Sequence, residues 1–213
     1  MKPTTVNEAA SGSLISLAMD DFLSRTGDRV PTPGGGAVAS AAAALAVALS
    51  RMVTAYSIGL KTSPEYRTRL EGTAQRLERL DGICRRLIDE DAAAYEVYAA
   101  AARQVRLQEA PRETLQQAAR LAIAVPLETQ AMAVSLLRLL DEHKTMFATV
   151  MRSDLAVSAH LALAACKAAG ETALINVCDL EFESERTHIY EQSDQFITTA
   201  GTLSEQIVSF VHR

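Results

Sequence analysis

The sequence predicts an all-α fold, an antiparallel bundle of several helices in up-down order. Three observations carry this. Apolar residues recur at spacings of three and four through most of the 213 residues, which is the period of one helix face. No segment alternates apolar and polar residues as a half-buried strand does. The chain is also 48% hydrophobic with only 5% aromatics and no tryptophan, so much of its apolar content is alanine, which lets helices approach closely. A chain of this length supports one sizeable core, and no linker composition divides it, so residues 1–213 read as a single helical domain.

The elements follow in order. Leu14, Leu17, Ala18 and Phe22 recur at helical spacing, and Gly27, Pro31 and Pro33 end that first helix. A second helix is expected from Ala37 to Ile58, thinned by its alanines so that neighbouring helices or a symmetry-related copy can approach, and broken by Gly59. Ser63, Pro64 and Glu65 mark the start of a third: a cap, a proline at the first helical position and an acid in the first turn. It reaches to about Ala102, with Tyr66, Leu70, Leu77, Leu80, Cys84, Ile88, Tyr95 and Tyr98 on its apolar stripe. A fourth restarts near Pro111 and carries Pro126 inside it, which removes a backbone hydrogen bond and predicts a kink rather than a turn. Ser153 and Asp154 open a fifth helix, apolar on nearly every side from Leu155 to Leu180, which is expected to be central. Ile189, Phe196, Ala200, Leu203, Ile207 and Phe210 stripe the last.

Composition narrows the function classes. A formal net charge of -5 offers no general attraction to phosphate backbones, so nucleic acid is not an expected partner. Cys84, Cys166 and Cys178 form an odd set without CxxC spacing, each inside a helical pattern, and read as reduced core residues. MKPTTVNEAASGS lacks the apolar core of a signal peptide. The run Ala37 to Leu49 is short for a bilayer and is followed by Arg51. A soluble, cytoplasmic protein with no membrane partner is expected.

Few positions invite chemistry. In IDEDAAAY, Asp91 lies three residues after Ile88 and four before Tyr95, so it projects along the apolar stripe while Asp89 and Glu90 point elsewhere. A carboxylate there is either paired to a cation of a neighbouring helix or opened to a cleft, because an isolated buried charge is very costly. Lys61 stands at the break after Gly59, where most lysines are solvated. Ser153 and Asp154 suit a helix start by capping alone. Asn176 lies in the crowded stretch TALINV, where a buried amide needs partners and can tie two helices together. PTPGGG, with Pro33, Gly34, Gly35 and Gly36 leading into a helix, either presents free N–H groups to an anion or carbonyl oxygen or forms a tight entry turn. The histidines 143, 160, 188 and 212 have no metal-ligand spacing, and no nucleotide or nucleophile-elbow motif is present.

Taken together, VPTPGGGAVASAAAALAVALSRMV, IGLK, IDEDAAAY, AVPLE, RSDLAVSA and LINV resemble, in order and spacing, the cyclodeaminase/cyclohydrolase family. The resemblance covers nearly the whole chain from about Leu14. It implies an all-helical homodimer acting on one-carbon derivatives of tetrahydrofolate without metal or other cofactor. It also implies that Asp91, Lys61 and Asp154 serve catalysis, and that Pro33, Gly34, Gly35, Gly36, Ser153 and Asn176 hold the folate. Four positions depart from the family pattern: Leu60 replaces a basic residue, Phe147 and Ala148 replace a Gly-Asn pair, and Thr172 replaces an asparagine. With no formiminotransferase domain in the chain, a methenyltetrahydrofolate cyclohydrolase is the first expectation. A formiminotetrahydrofolate cyclodeaminase is the second, and a non-catalytic folate-binding or structural dimer the third.

Overall fold

Six α-helices joined by short connections, two of them containing a single 3-10 turn, with a third such turn ahead of the first helix, make up the described residues of this computed structural model, 13–59 and 62–213. They are α1 (Met19–Gly27), α2 (Gly35–Ser57), α3 (Pro64–Arg106), α4 (Arg112–His143), α5 (Arg152–Leu174) and α6 (Glu183–Val211). Among the described residues there is no strand.

The alanines of α2 decide the packing. Ala37, Ala39, Ala43 and Ala46 are buried, which lets α2 lie against both α3 and α5. Its buried hydroxyls are all satisfied: Ser50, Thr54 and Ser57 each donate to the carbonyl four residues back, and Ser40 bonds the Thr129 hydroxyl of α4 at 2.9 Å, so they cost little in the core. Helices α2, α3, α4 and α5 form a ring of pairwise contacts, and α6 lies against α4 and α5. Helix α5 packs on α2, α4 and α6 but keeps an outward face, with Val157, His160, Ala164 and Lys167 exposed. Helix α4, which meets α2, α3, α5 and α6, is the central helix instead, because the small residues that make α5 look apolar all round need no burial. Leu70, Leu77, Leu137, Leu140, Leu155 and Ile207 are fully buried in one core, each contributing about 1.5–3 kcal/mol. A smaller cluster of Ala119, Ile123, Ala173, Val177 and Leu180 packs beside Tyr98.

Capping at α3 follows the sequence: the Ser63 hydroxyl accepts from the Tyr66 N–H at 3.3 Å, with Pro64 at the first position. Helix α4 runs without interruption through Pro126, which is buried. Three further expectations need correction. The first helix starts only after Ala18, because the Asp89 carboxylate takes the Leu14 N–H at 2.5 Å and the Ser13 hydroxyl at 2.6 Å, holding Leu14–Ser16 as a 3-10 turn. Helix α2 begins at Gly35, two residues early. And α5 ends at Leu174, six residues short, after which Val177–Asp179 forms a separate 3-10 turn. Cys178 is therefore exposed, not in the core with Cys84 and Cys166.

Candidate active site

Four helices meet around a cavity of about 360 Å³ at the N-terminal end of α2. Pro31, Thr32, Gly34 and Gly36 form one wall, and Asp91, Tyr95 and Tyr98 of α3 another. Ala122 of α4 and Thr172, Ile175 and Asn176 from the end of α5 complete it. The three α3 residues share a face because they are spaced by four and three.

Asp91 is half-buried. Burial pushes its carboxyl above the usual carboxylate range, and the Ala37 backbone N–H pulls the other way. Among the described residues no cation stands within ion-pair distance of it. The neighbouring acids are accounted for: Asp89 holds the Leu14 turn, and Glu90 pairs with Arg86 at 2.7 Å. Of the two readings open for Asp91, the cleft is the one realised among these residues.

The glycines act individually. Gly34 caps α2 with no side-chain hydrogen bond of its own, and the Asp91 carboxyl meets the first turn of the helix through the Ala37 N–H, at the positive end of its dipole. A Cβ on Gly36 would overlap the Asp91 carboxylate, so this glycine makes room for the chain's own aspartate. Gly35 is outside the cavity lining; a Cβ there would come 3.0 Å from the Thr172 methyl. Pro33 is buried behind the wall, whereas Pro31 and Thr32 line it.

The remaining expected residues divide. Asn176 does line the cavity, but from the turn after α5 rather than inside a helix; it is half-buried and donates to the Thr172 carbonyl at 3.3 Å. Ser153 is exposed and does not cap α5, whose N-cap is Met151. Ser153 and Asp154 lie at the opposite end of the molecule from Asp91. Gly35 packs on Thr172, while the Ser57 hydroxyl at the other end of α2 accepts from the Ala148 N–H at 2.8 Å. At ~1.5 Å per residue, Asp154 is about 27 Å along α5 from Thr172. Asp91 and Asp154 therefore do not come together within one chain. Lys61 and Leu60 lie outside the described residues. Of the other departures, Phe147 is buried in the main core and Ala148 is half-buried beside Ser57. Thr172 faces the cavity.

Sequence reasoning missed the two tyrosines as site residues. The Tyr98 hydroxyl donates to the Asp179 carboxylate at 2.6 Å, and burial together with this bond pushes its pKa up to about 12. Tyr95 is 43% exposed, with its ring at the cavity. The available signal was their spacing from Asp91, read only as core packing. No three His, Cys, Asp or Glu side chains converge among the described residues.

A family model described as formiminotransferase-cyclodeaminase matches residues 18–195. The chain belongs to this family. Curated relatives include the formimidoyltransferase-cyclodeaminases of Sus scrofa, 28% identical over 204 residues, and of Gallus gallus, 26% identical over 208 residues. The alignments cover 89% and 94% of this chain but only 36% and 38% of those relatives, so the chain spans little more than a third of their length. The fold is similar to the crystal structure of formiminotetrahydrofolate cyclodeaminase from Thermotoga maritima. That match has a TM-score of 0.85 and 23% identity, over 92% of this chain and 96% of that one. Family membership and shared fold both extend across the cavity, whose residues run from Pro31 to Asn176.

Proposed function

We propose that the chain catalyses the cyclodeaminase reaction on a formimino derivative of tetrahydrofolate, as a homodimer and without a resident cofactor. This reverses the order of the two folate reactions read from the sequence. The named relatives are cyclodeaminases, which supports the deaminase over the cyclohydrolase.

The observation that carries the reading is Asp91, a carboxyl with raised proton affinity and no counter-cation among the described residues, facing a cavity walled by tyrosine rings and bare backbone. In the reaction, N10 attacks the formimino carbon and loses its proton. The former imino nitrogen takes one proton from solvent and becomes an amine on a tetrahedral carbon, then receives the proton that N10 released and leaves as ammonia. The methenyl bridge remains with its positive charge. One group that accepts the N10 proton and returns it to the departing nitrogen serves both steps, and it works best with a pKa near the operating pH. Asp91 is suited to that task by its burial. Its ionised form also sits where a cationic bridge would gain from it. Tyr95 and Tyr98 offer flat apolar faces to a heterocycle.

The test supplies both folates and follows the methenyl chromophore. Its appearance from the formimino substrate supports the proposal. Consumption of the methenyl form alone identifies a cyclohydrolase, and silence with both removes the enzyme reading.

A further inference from the structure

The short turn after α5 serves both sides of the cavity wall. Asn176, which lines the cavity, opens the 3-10 turn Val177–Asp179, and the Asp179 N–H donates back to the Asn176 carbonyl at 3.3 Å. Val177 and Leu180 hold the turn in place, both fully buried in the cluster with Ala119, Ile123 and Ala173. Between them Asp179 is half-buried, stands outside the cavity lining and takes the Tyr98 proton at 2.6 Å. Among the described residues no cation lies within ion-pair distance of Asp179, so the phenol is its partner.

The side-chain donors of the cavity are largely spent inside the protein. Thr172 gives its hydroxyl proton to the Ala169 carbonyl at 2.9 Å, Asn176 donates Nδ2 to the Thr172 carbonyl at 3.3 Å, and Tyr98 donates to Asp179. What they leave for a ligand is acceptors: Asn176 Oδ1 and the lone pairs of Tyr98 Oη, with the Asp91 carboxylate on the same wall as the phenol. Among the described residues no lysine, arginine or histidine lines the cavity. Such a lining fits a ligand that donates. Tyr98 follows Asp91 by seven residues on one face of α3, which is ~10.5 Å along the helix. A reduced pterin has the same polarity, with its donors, the N3–H and the exocyclic 2-amino group, at the end of the ring system opposite N10.

We propose that Asp179 is a positioning residue for the folate ring: by taking the Tyr98 proton it commits the phenol oxygen to accept, so that Tyr98 Oη and Asn176 Oδ1 receive the amino edge of the pterin while Asp91 attends N10. This rests on the folate reading above and deepens it, by giving the ring a direction in the cavity. Asp179 touches no substrate; it acts through Tyr98. A site built to accept a hydrogen bond rejects a ligand that lacks the donor, because its own buried acceptor is then left unpaired.

Calorimetry on the full chain compares tetrahydrofolate with its 2-desamino-2-methyl analogue, which keeps the ring and lacks the amino donor. The wild type is expected to favour tetrahydrofolate by about 3–10-fold in Kd, the worth of one neutral hydrogen bond. Tyr98→Phe is expected to abolish that preference, Asp179→Ala to reduce it to under about twofold, and the double variant to lose no more than Tyr98→Phe alone, as for two residues acting through one contact. Asp179→Asn, which keeps an acceptor for the phenol proton, should restore the preference. In the deaminase assay Asp179→Ala should raise KM and leave kcat unchanged, and in ultraviolet titration it should bring the Tyr98 ionisation below its value of about 12. Variants that lose thermal stability but keep the wild-type preference, or losses that add in the double variant, overturn the proposal and leave the Tyr98–Asp179 bond as a tie between α3 and the turn. A wild type that binds tetrahydrofolate and its analogue equally overturns the ring direction. A wild type that neither binds tetrahydrofolate nor turns over a folate removes the folate reading and the ring contact with it, and the phenol titration then decides the Asp179–Tyr98 pair by itself.

Discussion

Gly36 of α2 packs its bare α-carbon against the Asp91 carboxylate of α3, in a space that even one methyl group would overfill. The glycine and the aspartate therefore form one structural unit. Gly36→Ala is expected to push the carboxylate out of place, at a cost of about 1–3 kcal/mol for overpacking. That lowers Tm by roughly 2–4 °C for each kcal/mol and reduces kcat/KM at least tenfold. Gly34→Ala is the contrast: the nearest atom to its Cβ is the Pro31 carbonyl at 3.7 Å, so the variant meets no overpacking and loses only the N-cap preference of glycine over alanine, about 1 kcal/mol, with the Asp91 carboxylate left in place. Differential scanning calorimetry and the chromophore assay together check both.

Asp91→Asn is expected to remove most turnover while raising stability near neutral pH. The sign follows from burial. A carboxyl whose folded pKa is raised stabilises fully below its unfolded pKa, and that contribution is lost as pH rises through the folded value. Near pH 7 the wild type carries the cost of a half-buried charge that asparagine lacks. The gap in Tm between variant and wild type should therefore shrink toward pH 3–4, roughly the pKa range of a free carboxylate. A variant less stable than wild type at pH 7 would show that the carboxylate is structurally paired.

Tyr98 is expected to ionise only at high pH, near its pKa of about 12. Ultraviolet titration of the folded protein should show this late step, and Tyr98→Phe should remove it. Losing the bond to the Asp179 carboxylate should cost about 1.5–3 kcal/mol, the range for charge-assisted hydrogen bonds. For this group the stabilisation is complete below the free phenol range and disappears as pH rises through about 12.

Helix glycines separate by what surrounds them. A Cβ on Gly170 would lie 2.9 Å from Gln130 Nε2 and 3.2 Å from both Ser193 Oγ and Ile197 Cδ1, in the packed centre of α4, α5 and α6. Gly170→Ala should lower stability by about 1–3 kcal/mol. Gly72 and Gly82 of α3 have nothing within 4 Å of that position, and alanine at either should raise stability by about 0.5–1 kcal/mol through helix propensity and the unfolded chain. Chemical denaturation of the three variants distinguishes the cases.

Much of the helical plan was legible because it depends on local pattern. The Ser63-Pro64-Glu65 start of α3 and the absence of a turn at Pro126 each follow from residues close in sequence. The missed features depend on residues far apart in it. Leu14 joins a 3-10 turn because of Asp89, 75 positions away. Tyr98 becomes a cavity wall through Asp179, 81 positions away. On the helix stripe a tyrosine facing the core and one facing a cavity have the same periodicity, so pattern could not separate them.

By itself, then, the sequence determined that the chain is helical, which faces are apolar, and that one aspartate interrupts an apolar stripe, since each of these depends on backbone period and side-chain type. Only the tertiary structure decided which residues share a site. It separated Asp91 from Asp154 by placing them at opposite ends of the antiparallel pair α2 and α5, and turned Gly36 toward Asp91 and Gly35 toward Thr172. The physical reason is that a helix spaces its residues by a fixed rise and rotation. Residues from different helices meet only where packed side chains set the registers, and those registers are determined by the whole core at once.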